Sequence, residues 1–156
     1  MLPDLRRHYK NIAELIITRF DFNSRTSDKI IQLIEKNRPT IKKLSFTTSN
    51  VSDETFNLIL SSEELKIIDF GLKNCSRLQG SFLEHPNNHT NTVKKLDVSY
   101  VSFVNPSYLT NLVQFKKLTL LSLRGCTGLD DVSVIFITYN LIQLLLNNLI
   151  ISNVFP

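Results

Sequence analysis

One short pattern of three apolar side chains recurs along this chain. Two residues separate the first apolar position from the second, and one residue separates the second from the third. It occurs in IAELII, IKKLSF, LKIIDF, VKKLDV, LTLLSL and LIQLLL, which begin at residues 12, 41, 65, 93, 118 and 141. The last two apolar positions of each segment are two apart, so they face the same side of a strand. The pattern predicts six short strands at a nearly regular interval, each with one apolar face.

The segments between these strands carry apolar residues at helical spacing. The residues concerned are Ile30, Leu33 and Ile34, then Phe56 and Ile59, then Leu109 and Leu112, then Val134 and Ile137. Ser52 or Asp53 is a suitable helix N-cap, and Pro106 suits the first turn of a helix. The sequence therefore alternates strands with helices, which predicts an α/β fold.

No single repeat of this length can bury its own apolar face, so neighbouring repeats are expected to stack. We expect a right-handed β-α superhelix of about six parallel strands with outer helices. Residues 1–11 form a lead-in, and residues 12–156 form one repeat domain. In that arrangement one buried column runs through Leu44, Ile68, Leu96 and Leu121.

The segment LTLLSLRGCTGLDDVSVIFI, residues 118–137, resembles the cysteine-containing type of leucine-rich repeat. Its pattern positions are occupied in order by Leu118, Leu121, Leu123, Cys126, Leu129, Asp131, Val134 and Ile137. In LKIIDFGLKNCSRLQ the cysteine, Cys75, lies two positions late. The strand spacing extends the resemblance over the whole chain and is close to the ~20–29 residues of such repeats.

The resemblance implies a non-catalytic protein-binding module. This repeat type is typical of the substrate-recognition part of F-box proteins and of proteins similar to the antagonist of mitotic exit. Only eleven residues precede the first predicted strand, whereas an F-box needs several helices. The implied role is therefore recognition alone, with ubiquitin-ligase components and a substrate as partners.

The two cysteines are expected to be structural. The pattern position of Cys126 is a small buried site where the chain leaves a strand. One repeat separates it from Cys75, which is too far for a disulfide. His85 and His89 have a spacing that suits zinc, but Pro86 and the surrounding asparagines indicate a loop. The sequence predicts neither a metal nor a cofactor.

A partner surface is expected on the inner curve of the sheet, where residues alternate with buried ones. Its predicted members are Thr47, Asp69, Asp97, Ser99, Tyr100, Ser122 and Arg124. Asp69 and Asp97 take the same position in neighbouring predicted strands, a pairing that could serve acid–base chemistry or bind a cation. Since no histidine or nucleophile joins them, we expect partner contacts and not an enzyme.

A second surface is predicted where lysines recur at the beginning of the strands. Its members are Lys42, Lys43, Lys66, Lys94 and Lys95. The formal net charge of +4 allows weak attraction to an acidic protein segment or to nucleic acid. Aromatic interleaving is missing from this ridge, so solubilising lysines are the simpler interpretation and nucleic acid is the less expected partner.

The chain carries no charged side chain between Asp131 and its last residue, Pro156. Polar residues such as Tyr139, Asn140 and Gln143 interrupt this stretch, which argues against a membrane span. The amino terminus lacks the apolar core of a signal peptide, so we expect the cytoplasm or nucleus. A last repeat without a polar cap predicts a fragment, a covering partner or self-association through this end.

Overall fold

The computed structural model of the protein describes residues 9–61, 64–84, 91–142 and 148–150. Six strands form one sheet in chain order, and every neighbouring pair is parallel. The strands are β1 (Glu14–Thr18), β2 (Lys43–Thr47), β3 (Asp69–Lys73), β4 (Lys95–Asp97), β5 (Leu120–Ser122) and β6 (Asn148–Ile150). The predicted α/β class with a parallel sheet is confirmed.

Helical segments connect the strands. The α-helices are α1 (Ser24–Asn37), α2 (Asp53–Leu60) and α3 (Asp131–Ile142), and 3₁₀ segments occupy Ser81–Leu83 and Pro106–Gln114. All the apolar residues predicted to line these segments are buried except Val134, which packs partly buried against the core. Pro106 opens its segment as predicted, and the Asn105 side chain caps it by accepting from the Ser107 N–H.

A single column of paired residues crosses the sheet and fixes the register. Its members, one from each strand in chain order, are Leu15, Leu44, Phe70, Leu96, Leu121 and Leu149. The prediction that Ile68 belongs to this column is wrong, because Phe70 pairs with Leu44 and Ile68 is exposed. The third repeat therefore begins at Ile67 and not at residue 65.

The misplaced third repeat has a physical cause. Leu65 and Ile67 are both buried, so the apolar spacing alone fits two registers that differ by two positions. A shift of two keeps the same residues on the same face of the strand, so periodicity cannot tell the registers apart. The corrected register also places Leu72 inside β3, where it is fully buried.

The last predicted strand is also misplaced. The prediction begins it at Leu141, but α3 continues through Ile142, and β6 begins at Asn148. The largely apolar run from 132 to 146 fits a helix as well as a strand, and such a run is ambiguous by periodicity. Leu144, the second position of that prediction, lies outside the described residues.

The backbone makes the same turn as it leaves each strand from β1 to β5. One residue there has a positive φ, between 51° and 65°, namely Arg19, Thr48, Asn74, Tyr100 and Gly125. Each of these residues lies seven positions after the first apolar residue of its repeat in the corrected register. The first four also donate their backbone N–H to a carbonyl of the next repeat at 2.8–2.9 Å. The equivalence of these positions shows that the five segments repeat in backbone geometry as well as in sequence.

The residue after each of these turns enters the core. In the second to fifth repeats it is Ser49, Cys75, Val101 and Cys126, all buried. The Cys126 thiol donates to the Val98 carbonyl at 3.1 Å, and the Cys75 thiol donates to the Phe46 carbonyl at 3.6 Å. Cys75 is therefore not two positions late, since the corrected register places both cysteines at the same position. The predicted burial of both is confirmed, and both are free thiols.

Asp53 links two consecutive return segments. Its two carboxylate oxygens accept from the backbone N–H groups of Gln79 at 2.7 Å and Phe82 at 3.1 Å. Ser52 caps α2 by accepting from the Thr55 N–H. The nearly buried Asp53 is therefore not needed as the cap, and it binds the backbone of the neighbouring segment. Asp130 has a simpler role and caps its own helix, α3, by accepting from the Ser133 N–H at 2.7 Å.

We expect Asp53→Ala to lower the free energy of unfolding by about 3 kcal/mol, because it leaves one buried and one part-buried N–H group without an acceptor. The matched variant Asp130→Ala removes one exposed cap and should cost about 1 kcal/mol. Urea denaturation monitored by circular dichroism gives both values. Equal losses for the two variants would contradict the linking role of Asp53.

Burial raises the pKa of the Cys126 thiol to about 11, from 9.0. The folded state therefore holds the thiol proton more tightly than the unfolded state. Its contribution to stability should be complete below pH 9 and should fall between pH 9 and 11, by about 3 kcal/mol in total for two pKa units. We expect the stability difference between wild type and Cys126→Ser to shrink over that interval. A difference that stays constant to pH 11 would show that this thiol titrates normally in the folded protein.

Candidate functional site

The sheet has one covered face and one open face. Helix residues such as Phe56, Leu109 and Ile137 share a single buried cluster with the inward strand residues, so the helices cover that side. The alternating strand residues form the other side, which we call the open face. It carries the row Ile16, Ser45, Gly71, Asp97 and Ser122 along the middle of the strands.

A hydrogen-bonded network crosses three strands on the open face. The Lys73 ammonium lies 2.8 Å from Oδ2 of Asp97, and Oδ1 of Asp97 accepts from the Ser99 N–H at 3.1 Å. The Ser99 hydroxyl lies 2.5 Å from the same oxygen and 2.9 Å from the Ser122 hydroxyl. A carboxylate can only accept, so Ser99 donates to Asp97 and Ser122 donates to Ser99.

This network positions groups and does not activate them. Both carboxylate oxygens of Asp97 already have partners, Lys73 on one and Ser99 on the other. Ser99 and Ser122 are each only 5% exposed, and their hydroxyl groups already have partners. The prediction that these two serines contact a partner is wrong in this geometry: they support Asp97 from beneath the surface.

Asp69 does not lie beside Asp97, and the predicted acidic pair is wrong. The register pairs Asp69 with Lys43 and Lys95, while Asp97 pairs with Gly71 and Ser122. The error follows directly from the two-position shift of the third repeat. Asp69 instead belongs to a row of alternating charge, in the order Glu14, Lys43, Asp69 and Lys95.

Lys43 is the most constrained lysine of that row. Its ammonium lies 2.5 Å from the Glu14 carboxylate. The hydrogen bond to Glu14 is the main cause that raises the pKa of Lys43, and the charge of Asp69 adds to it. The ion pair is solvent-exposed, so it contributes little to stability. Lys43 is therefore engaged within the sheet and is a weaker candidate for an outside anion than the sequence predicts.

The other four predicted lysines, Lys42, Lys66, Lys94 and Lys95, are exposed at the amino-terminal ends of the strands. Backbone hydrogen bonds join the Lys42 carbonyl to the Ile68 N–H and the Ile68 carbonyl to the Lys94 N–H, each at 2.8 Å. Lys42 and Lys94 therefore flank the exposed Ile68 in one row. Lysines therefore recur along this edge, but the apolar side chain of Ile68 separates the charges of Lys42 and Lys94.

Tyr100 and Arg124 are the exposed groups at the carboxyl-terminal side of the open face. Tyr100 is 50% exposed, and Arg124 is exposed beside it, since the Tyr100 N–H donates to the Arg124 carbonyl. A Cβ atom at Gly125 would lie 2.4 Å from two carbons of the Tyr100 ring, so the ring lies directly over this glycine. Of the predicted contact residues, Tyr100 and Arg124 are displayed best, and Thr47 is half-buried.

Sequence reasoning missed Lys73, which neutralises Asp97. The correct register of β3 and β4 would have been enough to predict this contact. Lys73 lies two positions beyond Gly71, the direct neighbour of Asp97, so the two side chains form a diagonal pair on one face. Within the described ranges, no group of three histidine, cysteine, aspartate or glutamate residues could hold a metal ion. His85 and His89 lie outside the described residues.

Comparison with protein-family models, with curated proteins and with solved structures finds no match to this chain. None of the helices in the described part of the chain is both long enough and apolar enough to cross a membrane. The function must therefore be inferred from the geometry of the open face and from the repeat itself.

Proposed function

We propose that this chain is a leucine-rich-repeat solenoid of the cysteine-containing type that binds protein partners without catalysis. The in-register column of one apolar residue from each strand supports the solenoid, as do the equivalent positive-φ turns. In the corrected register Cys75 follows the first apolar residue, Ile67, at the same interval as Cys126 follows Leu118. Two of the repeats therefore carry the cysteine at the position that the type requires.

The observation that carries the binding function is the display of Tyr100 and Arg124 on a helix-free face. Binding free energy concentrates in tyrosine and arginine side chains at interfaces. The Tyr100 ring lies against Gly125, so less side-chain freedom is lost when a partner covers it. The Lys73–Asp97 ion pair lies on the same face and gives a partner both signs of charge to match.

The partner class follows from the resemblance of the repeat. We propose that the open face recognises a substrate in an F-box type ubiquitin-ligase pathway, with the ligase core contacted directly or through a companion chain. The satisfied hydrogen bonds of Asp97, Ser99 and Ser122 support recognition over catalysis, since the network leaves no activated group.

We expect the double variant Tyr100→Ala/Arg124→Ala to lose at least tenfold in partner affinity while folding normally, because two central anchors are removed. The matched control Tyr9→Ala/Arg77→Ala removes one exposed tyrosine and one exposed arginine from other surfaces. Each tagged protein is used for affinity capture from the source cell, followed by quantitative mass spectrometry.

Recovery of ubiquitin-ligase core subunits with wild type and with the control, but not with the open-face variant, would support both parts of the proposal. Capture that is unchanged in the open-face variant would exclude the assigned surface. A protein set that depends on Tyr100 and Arg124 but contains no ligase subunit would retain the binding module and exclude the pathway.

The exposed Lys66 and Lys94 support a second candidate, the binding of an acidic protein segment or of nucleic acid. Affinity for such a polyanion should fall steeply with salt, with a logarithmic slope of about −0.9 per duplex phosphate contacted. Lys66→Gln/Lys94→Gln should reduce that slope by about two, whereas the control Arg38→Gln/Arg77→Gln should leave it unchanged. Fluorescence anisotropy with labelled DNA and with a labelled acidic peptide measures both slopes. Salt-independent or absent binding excludes this candidate.

A further inference from the structure

Helix α3 carries a stripe of large apolar side chains that face solvent. Val132 is 74% exposed, Ile135 67%, Phe136 40% and Tyr139 69%. Their spacing of three, four and seven positions places them on one side of the helix. We call these four residues the α3 stripe. Large apolar side chains exposed side by side are typical of a place where another surface binds.

The other side of α3 is already packed. Ser133 and Ile137 are buried, and the helix contacts the 3₁₀ segment Pro106–Gln114. Helix α3 is thus apolar on two sides, which distinguishes it from α1. The outward positions of α1 hold charged residues, among them Asp28, Glu35 and Lys36, as expected for a helix whose outer side meets water.

The α3 stripe and an unpaired strand edge lie at the same end of the described sheet. Strand β6 is the last in the sheet order, and within the described residues no strand pairs with its outer edge. Helix α3 is the return segment that directly precedes β6. The sequence from residue 132 onward contains no aspartate, glutamate, lysine, arginine or histidine. An uncharged and largely apolar surface is therefore the best match for this end of the described sheet.

We propose that a second copy of this chain covers it, with the two α3 stripes packed against each other around a two-fold axis. The same axis brings the two β6 edges side by side as antiparallel neighbours. A surface without charge can face itself without repulsion, and the second copy supplies an apolar helix and an unpaired strand edge together.

The β1 end of the described sheet is a poorer match for the α3 stripe. It presents β1, whose edge carries Glu14, and α1 with its charged outer residues. Stacking of one copy head-to-tail on the next would desolvate those charges against apolar side chains. The self-complementary contact avoids this cost and closes at two copies, whereas head-to-tail stacking continues into a filament. The dimer leaves the open face and its Tyr100 accessible, so it does not depend on the proposed partner binding.

The test is a concentration series of the 156-residue chain by sedimentation velocity, with Ile135→Lys as the variant. We expect wild type to form a dimer at micromolar concentration and Ile135→Lys to raise the dissociation constant at least tenfold. The matched control is Leu58→Lys on α2, since Leu58 is 62% exposed and lies away from the stripe. Circular dichroism and urea denaturation establish that both variants fold.

A second arm tests the symmetry. A mixture of Ile135→Lys with Ile135→Glu should recover the dimer that neither variant forms alone, because opposite charges then meet across the two-fold axis. Four results would overturn the proposal: wild type that stays monomeric throughout, growth beyond two copies, an equal loss in Leu58→Lys, or a mixture that stays monomeric. Loss of partner capture in the Tyr100 variants would not affect these outcomes, so the two proposals fail separately.

Discussion

The structure depends on the fact that no repeat buries its own apolar face. Each strand contributes inward side chains, and these become a core only when the neighbouring strand pairs with it in register. The column from Leu15 through Leu121 meets that requirement, since each member pairs directly with the member on the next strand. In-register pairing of the strands also determines where the return segments, the turns and the open face lie.

The same constraint explains which parts of the fold were predictable. Apolar spacing identified the number, order and direction of the strands, because these depend on faces and periods that the sequence displays. It failed at residues 65–72 and 132–149, where apolar residues satisfy two registers or two element types equally well. The choice between the two registers is decided by pairing with a strand of the neighbouring repeat, as Leu44 pairs with Phe70. The local sequence alone does not reveal this pairing.

Prediction of the open face was limited by the same two-position shift. Tyr100 and Arg124 are exposed as predicted because their repeats were in register, whereas Asp69 was predicted to pair with Asp97 and in fact pairs with Lys43 and Lys95. The burial of Ser99 and Ser122 and the role of Lys73 depend on diagonal contacts between strands, which only an accurate register reveals. Errors in one repeat thus propagate to every inference that compares it with its neighbours.

The turns that follow the strands have a consequence for the choice of residue at each of them. A left-handed backbone costs an ordinary side chain roughly 1 kcal/mol, which glycine avoids and asparagine reduces. Gly125 and Asn74 occupy such turns at little expense, but Arg19, Thr48 and Tyr100 do not. At Tyr100 the protein accepts a conformational penalty that a glycine would remove. The exposed ring of Tyr100 is therefore displayed from a strained backbone position, as are the side chains of Arg19 and Thr48.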